Sequence, residues 1–348
     1  MTYSQAIRSG FRLINSRWQL VAVQAGLMLF NCIAFFLMVI IPLGIAFVIF
    51  GLDLTGLAQL KNVLGLIRNP AELLSKYFGL VMVVLTSLLF YVLLVTTLGL
   101  YVFGGSVGVV GRSILEPDLK FSLRSFFAEA KKLFFPIMWY SLVAGIVFIL
   151  VAFLLGLFAG GIAAVVSAAK GQDSTLALFL GIFFSLVLIL IGISLVFGAI
   201  AVTVYGIAAL FFKGEGAMRS FRGGFRFVWD HQNAFWLYAV LLTVYIIVSF
   251  LVMLIVYPFN LIPIIGTIIS IPFQIISYVI RGYFGLVIIA IVFCYYYEIE
   301  IRKDAPAGNR PVPAETTAGS SSLPEDISSP EAAGQETSLP EKGGPEGD

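Results

Sequence analysis

Ser174–Phe212 reads STLALFLGIFFSLVLILIGISLVFGAIAVTVYGIAALFF and holds no charged residue. A helix needs about 20 apolar residues to cross a bilayer, so this run is long enough on its own and too long for a core helix of a water-soluble fold. Three further charge-free runs have the same character: 18–52, 77–111 and 133–169. At 1.5 Å per residue, a run of roughly 35 residues makes a helix of about 52 Å, longer than the hydrocarbon core. Such helices must tilt, bend or protrude. Pro42 with Gly44, Gly104–Gly105 and Gly160–Gly161 are the places where a bend or a frayed end is expected.

The last apolar region, 231–280 with 282–297, is interrupted by a single charge, Arg281. It is too long for one helix. Pro258, Asn260, Pro263, Gly266 and Pro272 mark the fold-back. The expected spans are Ala234–Tyr257 and Ile275–Tyr297. The uncharged connector between them is expected to be a short interfacial helix or a shallow re-entrant piece packed on protein, because irregular backbone cannot face lipid. The fold class is therefore all-α integral membrane with six transmembrane helices.

Composition agrees. Of the 348 residues, 60% are hydrophobic and 11% charged, against about a quarter charged in soluble domains. The formal net charge of +2 averages two unlike regions. Residues 1–303, the membrane domain, carry a net +9, and residues 304–348 a net −7. The latter segment is rich in Pro, Gly, Ser, Thr and Glu and lacks aromatics, so it is expected to be a disordered acidic cytoplasmic tail. Outer loop 51–76 has near-helical apolar spacing and is expected to lie on the outer surface. The first apolar run is too long for a cleavable leader and is expected to remain as span 1. Cys32 and Cys294 sit in apolar runs without metal-type spacing and are expected to pack as small hydrophobes. Basic residues set the orientation. With the N-terminus inside, the inner segments hold 16 Lys/Arg and the outer segments 5. The expected location is a cell (inner) membrane, multi-pass, N-in and C-in.

Three inner segments resemble one another. Arg8-Ser9 leads to Trp18, Arg124-Ser125 to Phe134, and Arg219-Ser220 to Trp229, each aromatic ten positions after its Arg. Basic and aromatic residues interleave at helical spacing, the pattern of a helix lying in the interface. The chain is thus expected to be three units, each an interfacial helix followed by a hairpin of two spans. Arg8, Arg12, Arg124, Lys131, Arg219, Arg222 and Arg226 form a candidate collar facing lipid headgroups or a partner.

Within the spans, polar groups are few. Arg281 is expected a few residues inside the outer end of span 6, as a ligand or gating candidate together with Gln274 and Asn260. Gln24 and Asn31 are the other strongly polar residues in apolar surroundings. Glycines at four-residue spacing, Gly104 with Gly108 and Gly156 with Gly160, allow close helix packing and a possible homo-oligomer. The single histidine, His231, has only Asp230 beside it. No phosphate loop, dinucleotide fingerprint, HExxH or GxSxG is present. No catalytic residue, metal or other cofactor and no nucleic-acid partner is expected.

One short motif carries a family resemblance. The ending Cys294-Tyr295-Tyr296-Tyr297-Glu298-Ile299-Glu300-Ile301-Arg302-Lys303 resembles the Tyr-Tyr-Asp-Leu-Arg-x-Arg ending of a group of prokaryotic six-span proteins. These include the membrane domains attached to some glycerophosphoryl diester phosphodiesterases. Glu298 stands where Asp is usual and Glu300 where Arg is usual. The phosphodiesterase domain itself is not expected in this sequence, since its chemistry uses paired histidines and metal-binding carboxylates and one histidine cannot supply that. The resemblance implies a membrane module and not an enzyme. Two functions follow as expectations. The first is a non-enzymatic scaffold or accessory module engaging lipid headgroups, with membrane lipids and a protein at the cytoplasmic face as partners. The second is a small-molecule or lipid transporter or channel.

Overall fold

The structure, a computed structural model, describes residues 2–49, 78–171, 173–260 and 265–302. The expectations for loop 51–76 and for the tail lie outside the described residues. The described residues belong to one helical body.

Among the described residues every regular element is a helix. Helix α1 (Tyr3–Ser16) precedes span 1, which consists of α2 (Gln19–Phe35), a π turn (Phe36–Ile40) and α3 (Ile41–Ile49). The π turn stops just before Pro42, whose missing N–H disturbs the ladder at the place marked for a bend. Spans 2, 3 and 4 are α4 (Phe78–Leu115), α5 (Leu123–Lys170) and α6 (Ser174–Lys213). Helix α7 (Ala217–Asp230) leads into span 5, α8 (Gln232–Asn260). Span 6 is α9 (Ile265–Tyr296), closed by a π turn (Tyr297–Ile301). Among the described residues six helices are long and apolar enough to cross a membrane, and the protein is a multi-pass helical membrane protein. The ends are set locally. Asp173 caps α6 by accepting from the Thr175 N–H at 2.8 Å, and Gly214, at φ 62°, closes it by donating to the Leu210 carbonyl.

Two boundaries differ from expectation. The connector between spans 5 and 6 is no separate element. Pro258 belongs to α8 and Pro272 to α9, which leaves only residues 261–264 between them, outside the described residues. The second interfacial segment is not a separate helix either. It is the first part of α5, whose 48 residues would extend about 72 Å.

The core lies at one end of the bundle, where the even-numbered spans meet. Val107 and Val110 of α4, Tyr205 and Ala208 of α6, and Ala290 and Ile291 of α9 are almost wholly buried in one cluster. Each interfacial segment crosses an even span there. Helix α1 lies on α9, with Gly10 against Ile291. The start of α5 lies on α4, with Phe126 against Gly105 and Glu129 against Gly108. Helix α7 lies on α6, with Gly224 against Gly206. A segment that leads into one span thus rests on the preceding even span, and α1 closes the circle on span 6. This is the threefold arrangement of interfacial segment plus hairpin. Away from this end the side chains are largely exposed, as Ile149 and Leu190 are, and these apolar surfaces suit lipid.

Candidate functional site

The collar is built from one repeated helix. Helices α1 and α7 are each 14 residues long. Counted from Tyr3 and Ala217, they match position by position. Ala6 matches Ser220 and Gly10 matches Gly224, all buried against an even span. Phe11 matches Phe225, Arg8 matches Arg222, and Arg12 matches Arg226, all exposed. Both helices end on a residue at φ −122°, Arg17 in one and His231 in the other. The same count along α5 from Leu123 places Phe126 and Ala130 on the buried positions and Lys132 at the Arg12 position. Pro136 then falls where the other two helices stop, yet α5 runs through it.

This register corrects the one read from the Arg-Ser pairs. Those pairs matched Arg8 with Arg219, but the fold matches Arg8 with Arg222. Arg219 corresponds to Gln5 and Arg124 to Ser4. Small residues at the crossings fix the register, because they decide which turn can approach the neighbouring span. Exposed arginines do not.

All seven collar residues named from the sequence are exposed. On α7, Phe225 and Trp229 stack 6.0 Å apart, directly beside the arginine row on the helix circumference. Under them a groove of about 730 Å³ opens between spans 3, 4 and 5. Val151, Ser194, Gly198, Trp229, Gln232 and Trp236 are among its lining residues. A smaller groove of about 390 Å³ lies between spans 2 and 3, where Lys131 stands over Thr97, Tyr101 and Phe134. The smaller is almost wholly apolar with Lys131 in its lining, so it offers an acyl chain a slot and its headgroup a cation, whereas the larger is mostly apolar with aromatic lining residues.

Ion pairs at the same end were not legible in the sequence. Glu129 is buried (8% exposed), and its Oε1 accepts from Arg112 at 3.0 Å, tying span 2 to the start of span 3. Lys213 meets Glu300 at 2.8 Å, and Arg302 holds Glu298 at 2.7 Å. A mixed-charge basin of about 430 Å³ lies among Arg112, Glu129, Lys132, Glu215 and Ile301. The only signal for Glu129 was an acidic residue inside a basic interfacial segment. His231, at the end of α7, stacks on Phe227 at 4.9 Å with its Nδ1 3.3 Å from the Phe227 carbonyl. It finishes a helix and holds no ligand set. Among the described residues, no group of His, Cys, Asp and Glu is placed to hold a metal.

The Tyr-Tyr motif has a structural role. Tyr295 lies 6.4 Å from Tyr3 of α1, ring to ring. Tyr296 is 1% exposed and touches Phe227 of α7 and Phe212 of span 4, at 4.8 and 6.2 Å. The end of span 6 therefore fastens both interfacial helices.

Arg281 is not near the outer end of its span. Helix α9 starts at Ile265, ten residues before the expected start, and this puts Arg281 at mid-helix. It is exposed and makes no hydrogen bond or ion pair with a described residue. Gln274, also exposed, precedes it by two turns on the same stripe. Asn260 is the last residue of α8, and the fold does not join it to these two among the described residues. Next to Arg281, the backbone of Gly282 lies against the Gln24 side chain of span 1.

No family model, curated protein or solved structure matches this chain.

Proposed function

We propose that this chain is a non-enzymatic membrane scaffold that seats on anionic phospholipid headgroups and holds a partner protein at the same face. The observation that carries the reading is the repeat of α1 in α7. Two helices in different units keep the same two arginine positions and the same aromatic position, beside the same buried small residues. Packing requires the small residues but not the arginines. Headgroup phosphates at an interface give the arginines a common task.

The excess of 16 over 5 basic residues supports a cytoplasmic collar in a prokaryotic inner membrane. The resemblance of residues 294–303 to membrane domains of glycerophosphoryl diester phosphodiesterases belongs to the same reading. A second reading, transport of a lipid or small molecule, draws on the groove of about 730 Å³. The close apolar contact of the even-numbered spans among the described residues favours the scaffold.

The test is lipid retention by native mass spectrometry of the purified protein. Each basic residue near an anionic surface contributes about 1 kcal/mol. The double change Arg222→Gln with Arg226→Gln should therefore weaken retention of phosphatidylglycerol about thirtyfold and leave phosphatidylcholine unchanged. Equal loss of both lipids, or of neither, would sink the proposal.

A further inference from the structure

The face shared by spans 1 and 6 carries an arginine at mid-bilayer depth that no described residue neutralises. Ile291, the residue that α1 crosses at Gly10, marks the depth of the interface. Arg281 lies ten residues further along α9, about 15 Å, which is half of a hydrocarbon core about 30 Å thick. Headgroup phosphates at either surface are further away than an arginine side chain extends. A charge at this depth is costly unless it is paired.

The surroundings are polar as well. Gln24 touches the backbone of Gly282. Spans 1 and 6 run antiparallel, so Asn31, two turns outward on span 1, is level with Ile275 and Gln274 of span 6. The Asn31 Oδ1 is buried and has no hydrogen-bond partner. Strongly polar groups from both spans thus fall into two layers on one pair of helices, Gln24 with Arg281 and Asn31 with Gln274.

A second copy cannot complete this site. The six charge-free runs contain no Asp or Glu that could be delivered to this depth. The site needs an acid from another chain.

We infer that the span 1–span 6 face docks a transmembrane helix of a different protein, whose Asp or Glu at mid-bilayer pairs with Arg281. The inference is independent of the collar's lipid binding, since it concerns another face and another depth.

The experiment uses the full chain in phosphatidylcholine vesicles. The probe is a synthetic leucine-rich transmembrane peptide with one central aspartate, and association is read by energy transfer. We expect the aspartate peptide to bind about tenfold more tightly than the same peptide with leucine at that position, a gap that one buried polar pair in a membrane can supply. Arg281→Leu should erase the preference, and Arg281→Lys should keep part of it, which separates loss of charge from loss of fold. Three results would each overturn the inference: no preference in the unaltered protein, a preference that survives Arg281→Leu, or a preference abolished by added phosphatidylglycerol. The last would mean that a lipid phosphate occupies Arg281. In native membranes, a photo-crosslinker at the exposed Tyr278 should yield an adduct mapping to a spanning segment that contains Asp or Glu. An adduct mapping to a segment without one would overturn it equally.

Discussion

Two adjacent glycines on α7 separate the packing argument from ordinary helix propensity. A Cβ on Gly224 would lie 2.6 Å from the Gly206 nitrogen, 2.7 Å from its Cα and 2.7 Å from the Val202 carbonyl oxygen. All three atoms are backbone of α6, so no rotamer change relieves them and the two helices must part. Overpacking of this kind costs about 1–3 kcal/mol, and three backbone clashes place it near the top of that range. Replacing a helical glycine by alanine returns about 1 kcal/mol, so Gly224→Ala should cost about 2 kcal/mol net. Gly223 is its control. A Cβ there meets only the Ala209 Cβ at 3.8 Å, an ordinary contact. Gly223→Ala should therefore keep the helix gain and stabilise by about 1 kcal/mol. Thermal unfolding in detergent should place the two variants on opposite sides of the unaltered protein, with Gly224→Ala lower by about 4–8 °C. The repeat adds a demand. In the equivalent helix α1, a Cβ on Gly10 would lie 2.9 Å from the Ile291 nitrogen and 3.0 Å from its Cα. Gly10→Ala should destabilise in the same way. If Gly224→Ala unfolds no earlier than Gly223→Ala, close approach at the crossings does not set the register, and the equivalence of α1 and α7 loses its physical basis.

Other changes test single contacts. The buried Tyr205 hydroxyl donates to the Ala234 carbonyl at 3.0 Å, joining span 4 to the start of span 5. Tyr205→Phe should cost about 1 kcal/mol, seen as a lower unfolding midpoint. Glu129→Gln should cost on the order of 1 kcal/mol by weakening the pair with the partly exposed Arg112. That loss should shrink at high salt, and it should vanish in a background already carrying Arg112→Gln. Gly214 holds a left-handed backbone at φ 62°. Gly214→Ala should cost about 1 kcal/mol by thermal unfolding, although nothing lies within 4 Å of it.

Six spans were legible because charge-free length is a global property that no tertiary contact can reverse. Depth was less legible. The prolines around 258–272 read as a break, yet Pro258 and Pro272 each sit inside a helix. A helix in lipid accommodates proline more readily than a helix in water, because neighbours re-satisfy the freed carbonyl. That single error moved Arg281 from the outer end of its span to the middle. The repeat was legible as a pattern but not in register, since the eye follows charged pairs and the fold follows Gly10, Ala130 and Gly224. Glu129 was legible only as an acid inside a basic interfacial segment. Its role depends on a contact with Arg112 from the preceding span, and no local spacing announces it.

The ring of crossings also has a consequence for assembly. The faces of α5 and α7 rest on spans that precede them in the chain, α4 and α6, so each can dock as soon as it is made. Helix α1 is different. Its buried face, Ala6, Gly10 and Ile14, is covered by α9, the last span. The tyrosine that meets Tyr3 is residue 295. The first helix therefore waits for the last, with its apolar side turned to the bilayer surface, where an amphipathic helix is stable alone. Span 6 then arrives already fitted to α6 and α7 through Phe293 and Tyr296. A Tyr296→Ala change would empty a fully enclosed site and should loosen α1 and α7 together, although Tyr296 touches only the latter. Cysteine accessibility placed at Ala6 and at Ser220 reads this directly. Joint exposure supports closure of the ring by span 6, and exposure at Ser220 alone would show that α1 is held by contacts independent of it.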